Sequence, residues 1–136
     1  MALILIADDH RATRETLAAL LREQGHETYS ADTAFQLLDL AHSHPDFDLV
    51  LTDLKMPRMD GLQLLEALRL QNSQARIIVM SAFSTADTVL AAFRRGAMDF
   101  LQKPFDWAEL QAVLQRALHG STKAPDKAPA NKAPVP

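Results

Sequence analysis

The chain contains no cysteine, which excludes disulfides and thiolate metal sites. It holds only four glycines, at positions 25, 61, 96 and 120. None follows the first apolar run closely enough to form the glycine-rich loop that cradles a nucleotide or flavin phosphate. No apolar run is long enough to cross a bilayer, and no basic segment leads into an apolar stretch and a small-residue cleavage site. No Ser-His-Asp arrangement or zinc motif can be assembled. The net charge of -3, from 14 Lys+Arg and 17 Asp+Glu, gives no drive toward nucleic acid or an anionic membrane. Together these absences predict a soluble, cytoplasmic protein with no nucleic acid or membrane partner for this segment.

What is present is a core. At 136 residues, with 48% hydrophobic and 23% charged residues, the chain suits one globular domain. Short apolar runs alternate with segments of helical period. Strands are predicted over 3–7, 26–30, 49–52, 76–80 and 99–102. Helices are predicted over 11–24, 34–43, from Asp60 to about Asn72, over 85–95, and after Asp106. Gly25 and Gly96 mark two helix stops. His44-Pro45 breaks the second helix. Asp60 with Gln63, Ser84 with Asp87, and Asp106 with Glu109 read as capping boxes. Val89, Ala92 and Phe93 are expected to face inward on the fourth helix. Leu110, Val113, Leu114, Ala117 and Leu118 form the stripe of the last one. Five strand-helix units imply an α/β fold with a parallel sheet covered on both faces. Lys-Ala-Pro recurs at 123, 127 and 132 in a stretch almost without large apolar residues. Such a stretch cannot offset the entropy of ordering, so residues 1–120 are expected to form the domain and 121–136 a disordered tail or linker. The chain is then either a stand-alone domain or part of a longer protein, with the tail favouring the latter.

Four apolar runs end on polar residues: Asp8-Asp9, Asp53, Ser81 and Lys103-Pro104. In a parallel sheet these side chains meet at the carboxyl edge, where ligands of open sheets bind. Singly, each has a plain structural role as cap, turn or solvated surface group. Their shared position at successive strand ends points instead to a metal-assisted phosphoryl site.

These residues, with the stretch from Asp53 to Gly61 (Asp-Leu-Lys-Met-Pro-Arg-Met-Asp-Gly) and Ser81-Ala82, resemble the receiver domain of bacterial response regulators in order and spacing. The wording of the Asp53 stretch is most similar to receivers that precede enhancer-binding transcriptional activators. The resemblance covers roughly Leu3 to Leu118. It implies a flavodoxin-like sheet of strand order 2-1-3-4-5 and an Asp53 phosphoacceptor charged by a sensor histidine kinase. It implies a Mg²⁺ (or Mn²⁺) cofactor held by Asp9, Asp53 and the Lys55 backbone carbonyl, with Asp8 ligating or holding a metal-bound water. Lys103 and Ser81 would reach the phosphoryl oxygens, and Ser81 with Phe100 would act as the switch. Lys55 and Phe83 would tune phosphate lifetime. Lys103-Pro104 would be cis. Phe100, lacking a hydroxyl, is expected to favour its inward rotamer. The product is an aspartyl phosphate that water later hydrolyses, a self-phosphorylating and self-dephosphorylating switch rather than a metabolic enzyme.

The expected output surface, for an output domain or a homodimer, is the fourth helix, the strand at Phe100 and the last helix, with Arg94, Arg95, Gln102, Trp107 and Gln111 as contacts. The kinase is expected near Arg11, Arg14 and Leu17 and the Pro104-Phe105 loop. His10 is expected as a solvent-facing residue at a helix start more than as a metal ligand. Two other classes are a nucleotide- or flavin-binding module, disfavoured by the missing glycine loop, and a receiver-shaped adaptor that signals by binding alone, disfavoured by the intact site positions.

Overall fold

The computed structural model describes residues 1–72, 74–82 and 85–119. Strands β1 (Leu3–Ala7), β2 (Glu27–Ala31), β3 (Leu49–Asp53), β4 (Arg76–Ser81) and β5 (Asp99–Gln102) form one sheet. All pairings are parallel and the order is β2-β1-β3-β4-β5, as expected. Helices α1 (Arg11–Glu23), α2 (Ala34–Ser43), α3 (Gly61–Gln71), α4 (Ala86–Arg94) and α5 (Trp107–His119) join and flank the strands.

The continuous apolar runs are explained by two cores. Side chains alternate across a strand, so Leu3, Leu5 and Ala7 pack with Val50, Ile77 and Val79 beneath α2, α3 and α4. Ile4 and Ile6 point the other way and pack with Leu49, Leu51, Ile78 and Met80 beneath α1 and α5. A strand buried on both faces has no polar side, which is why these runs show no alternation of polarity.

Most boundaries fall within a residue of expectation, and three local readings are corrected. First, the stretch between β3 and α3, for which no regular element is predicted, contains a short ladder. Lys55–Met56 and Met59–Asp60 pair antiparallel across Pro57-Arg58. Arg58 takes φ 78°, in the left-handed region. A turn with proline first and a positive φ second is the type II pattern, which ordinarily selects glycine or asparagine second. Second, Asp60 caps α3 by accepting from the Leu62 N–H at 2.9 Å, not from that of Gln63. Third, α4 is capped by Thr85, whose hydroxyl accepts from the Thr88 N–H at 3.2 Å. Ser84, the expected cap, lies outside the described residues, as do Phe83 and 120–136. The Asp106–Glu109 box forms in both directions, at 3.0 and 2.8 Å. Gly25 and Gly96 take φ 92° and 104° at the ends of α1 and α4.

Helix α4 also departs from its expected packing. Ala92 is buried, Val89 is half-buried, and Phe93 and Leu90 are exposed. The small Ala92 makes the buried contact, and the ring at 93 stays outside. Arg69 secures the far end of this helix by donating to the carbonyls of Ala75 and Gly96. Among the described residues no helix is long and apolar enough to cross a membrane.

Candidate functional site

Register brings the first two carboxylates together. Ala7 of β1 lies opposite Thr52 of β3. One step further places Asp8 level with Asp53. Asp8 continues the sheet by donating its N–H to the Ala31 carbonyl at 3.1 Å. The Leu54 N–H likewise continues β3 by donating to the Met80 carbonyl at 3.0 Å. Both aspartates are therefore fixed by backbone pairing at the carboxyl rim, and both are buried.

Lys103 arrives from the end of β5. Its N–H donates to the Ser81 carbonyl at 2.9 Å, and the peptide bond to Pro104 is cis, as the resemblance implies. Its ammonium donates to Asp8 Oδ2 and to Asp53 Oδ2, each at 2.6 Å. Charge-assisted bonds this short and sheltered are the strong kind. Burial of the ammonium lowers its pKa, and the hydrogen bonds and charges of Asp53 and Asp8 together outweigh burial, so the net displacement is above the ordinary lysine range. The mutual repulsion expected of the clustered carboxylates is thus partly offset by a lysine of the same rim.

The remaining carboxylate oxygens are also held. Asp53 Oδ1 accepts from the Lys55 N–H at 2.8 Å. Asp8 Oδ1 accepts from the His10 N–H at 2.8 Å, a bond to the N-cap residue itself; α1 has no side-chain cap, so the capping role open to the acidic pair is not taken up. Asp9 is the accessible member, with its side chain 34% exposed. Ser81 is fully buried at the end of β4. Beside it a groove of about 590 Å³ opens, lined by Lys55, Gly61, Leu62, Ser81, Thr85 and Thr88 among others. Phe100 is half-buried and packs against the α2–α4 core.

Asp8, Asp9, Asp53 and His10 each offer a ligand atom, and these atoms all lie within 4.8 Å of one another. Three carboxylates suit a small hard cation that prefers oxygen and retains waters. The donor set therefore fits Mg²⁺. His10 was expected to face solvent; its side chain is 73% exposed, yet Nδ1 lies 3.2 Å from Asp9 Oδ1 and 3.4 Å from Asp8 Oδ1. Nothing in its sequence position distinguishes a ring turned back on the acidic pair from one turned outward.

Other expected contacts sort differently. Leu17 is 3% exposed and belongs to the core beneath α1, so it offers nothing to a docking kinase. Its helix has its apolar stripe there, and a leucine on that stripe is buried by the sheet. Arg14 donates to the Asp8 carbonyl at 2.9 Å, supporting the rim from behind, a contact that sequence spacing did not reveal. Arg95 donates to Glu66 of α3 at 3.0 Å and is turned toward that helix. Arg94 and Gln102 remain exposed. Trp107 and Gln111 line a second groove with Met1, His26 and Leu118.

Residues 4–115 match the family model described as the response regulator receiver domain. The chain is 40% identical over 116 residues to the regulatory protein AtoC of Escherichia coli K12, covering 85% of this chain and 25% of that protein. It is 41% identical over 121 residues to the DNA-binding transcriptional regulator NtrC of Azospirillum brasilense, covering 89% and 25%. The chain thus spans about a quarter of the length of these curated relatives. Among solved structures, the chemotaxis protein CheY4 of Vibrio cholerae superposes with a TM-score of 0.81 at 28% identity, over 87% of this chain and 99% of that one. NtrX from Brucella abortus gives 0.81 at 35% identity, over 87% and 27%.

Proposed function

The chain belongs to the response regulator receiver family, and from that premise we propose that Asp53 is its phosphoacceptor, taking a phosphoryl group from the phosphohistidine of a sensor histidine kinase in the cytoplasm. The observation that carries this reading is the Lys103 ammonium set between Asp8 and Asp53, 2.6 Å from each, at the rim where Asp9 is also exposed. Asp8, Asp9, Asp53 and the Lys55 carbonyl would hold Mg²⁺, which when bound neutralises charge between the carboxylate and the incoming phosphoryl oxygens.

The residues divide the work. An Asp53 oxygen attacks phosphorus as the phosphorus–nitrogen bond of the donor breaks. The Lys55 N–H on Oδ1 keeps the carboxylate oriented during that attack. Lys103 is a mobile point charge that can follow a phosphoryl oxygen while remaining tethered through the Ser81 carbonyl. The Ser81 hydroxyl donates to another phosphoryl oxygen, and Phe100 repacks behind it. Water later attacks phosphorus, releasing inorganic phosphate and restoring the carboxylate. Lys55 and Phe83 set how readily that water enters.

Output proceeds through α4, β5 and α5, either to an output domain or to a second copy of the chain. Exposed Leu90, Phe93, Arg94 and Gln102 supply that surface. Because the matched relatives are named as transcriptional regulators, we assign the switch to control of transcription. Residues 1–120 would be the receiver and 121–136 its tail or linker.

Incubation with acetyl phosphate and Mg²⁺, followed by intact-mass measurement, tests the reaction. One phosphoryl group is expected on the wild type and none on Asp53→Asn. An unmodified wild type would favour a receiver-shaped adaptor, and a modified Asp53→Asn would place the acceptor elsewhere.

A further inference from the structure

The proposed reaction leaves one member of the acidic group without a role. His10 stands at the N-cap position of α1, in extended backbone geometry, yet its side chain makes no capping bond. Its backbone N–H is instead fixed by Asp8 Oδ1 at 2.8 Å. That bond anchors the residue, and the ring folds back until Nδ1 reaches 3.2 Å from Asp9 and 3.4 Å from Asp8.

We infer that His10 is a metal-selecting ligand, whose Nδ1 turns an oxygen site into a mixed nitrogen and oxygen site that prefers a borderline divalent ion such as Co²⁺ over Mg²⁺. The inference rests on the reading that the acidic group holds a divalent cation. Two features support it. Donors about 2.1 Å from a small octahedral ion lie about 3 Å apart when adjacent and about 4.2 Å apart when opposite. The His10 separations of 3.2 and 3.4 Å match adjacent donors. In addition, Lys103 occupies Oδ2 of Asp8 and Oδ2 of Asp53, whereas the imidazole lies on the Oδ1 side of Asp8. The nitrogen therefore approaches the carboxylates without competing with the ammonium.

Selectivity follows from donor type. Carboxylate, carbonyl and water suit Mg²⁺, and imidazole suits the later first-row ions, whose affinity rises from Mn²⁺ through Co²⁺ and Ni²⁺. Replacing one water in the coordination shell by imidazole changes little for Mg²⁺ and favours Co²⁺.

The test follows the backbone amide NMR signals of residues 8–10 and 53 in the full chain during titration with Mg²⁺, then with Co²⁺ in competition. Reading these amides separates the site from the other four histidines, which also attract Co²⁺. Wild type, His10→Ala and His10→Gln are compared, with circular dichroism confirming that each is folded. The preference for Co²⁺ over Mg²⁺ is expected to fall about tenfold in both variants, while Mg²⁺ affinity changes less than about twofold. An unchanged preference overturns the inference. So does retention of the wild-type preference by His10→Gln, since that side chain can donate a hydrogen bond to Asp9 but supplies no imidazole. Equal weakening of both ions overturns it too, by assigning His10 to the arrangement of Asp9. If neither ion perturbs these amides in the wild type, the cation reading of the proposed function fails, and this inference with it.

Discussion

His26 shows how a single side chain couples to pH at a distance from the reactive rim. Its Nδ1 accepts the Ala2 N–H at 3.1 Å, which requires the neutral ring. Burial, then the charge of the amino terminus, then His119, hold its pKa below the ordinary 6.5. Because the folded value is depressed, the unfolded chain takes up the proton first as pH falls. The contribution is complete above the unfolded value and is lost on descending through the folded one. Between about pH 7.5 and about pH 5.5, the urea midpoint of the wild type is expected to drop further than that of His26→Gln, which keeps an acceptor for Ala2 but does not titrate. Parallel curves for the two proteins would remove His26 from the account. Arg58 is a second case of local cost. An L-residue in the left-handed region is disfavoured by roughly 1–2 kcal/mol, and asparagine tolerates it better. Arg58→Asn is expected to raise stability by up to about 1 kcal/mol in chemical denaturation; a loss would mean that the arginine side chain contributes more than its backbone forfeits.

At the scale of elements, α3 is set against the strand that carries Asp53 by one missing side chain. A Cβ on Gly61 would lie 2.4 Å from the Leu54 carbonyl oxygen and 2.8 Å from its Cα. Backbone cannot yield as a side-chain tip can. Gly61→Ala is therefore expected to cost about 1–3 kcal/mol by urea unfolding, and to slow phosphoryl incorporation because Leu54 lies between Asp53 and Lys55. An alanine variant with wild-type stability would mean that α3 shifts freely. Most helices and strands of this chain were legible because they are either continuous apolar runs or segments of clean helical period, the edge strands β2 and β5 being the more polar exceptions. The 55–60 hairpin was not legible, since a two-residue ladder has no period. The cap of α4 came one residue late because Ser84 and Thr85 are chemically equivalent caps. Phe93 was misplaced inward because periodicity identifies a face, and the small Ala92 was enough to fill it.

For the whole molecule, one sheet separates two hydrophobic layers with no shared members. Ile6→Val on the α1–α5 side is expected to cost about 0.5–1.5 kcal/mol and Leu37→Ala on the α2 side about 2–5 kcal/mol. Their sum should hold within about 0.5 kcal/mol in the double variant. A larger discrepancy would reveal strain passing through the sheet. The meeting of Asp8, Asp53 and Lys103 was readable because strand polarity alone carries all three to one rim. The position of the His10 ring and the support from Arg14 were not, because both depend on side-chain rotation after the backbone is set.

The ammonium of Lys103 grips carboxylates 50 and 95 positions earlier in the chain. No peptide shorter than the stretch from Asp8 to Lys103 contains the whole reactive group, and no half of the protein retains it. Reactivity is consequently proportional to the fraction of molecules that are folded throughout, so a lesion in either layer, however remote, silences the signal in step with the native population.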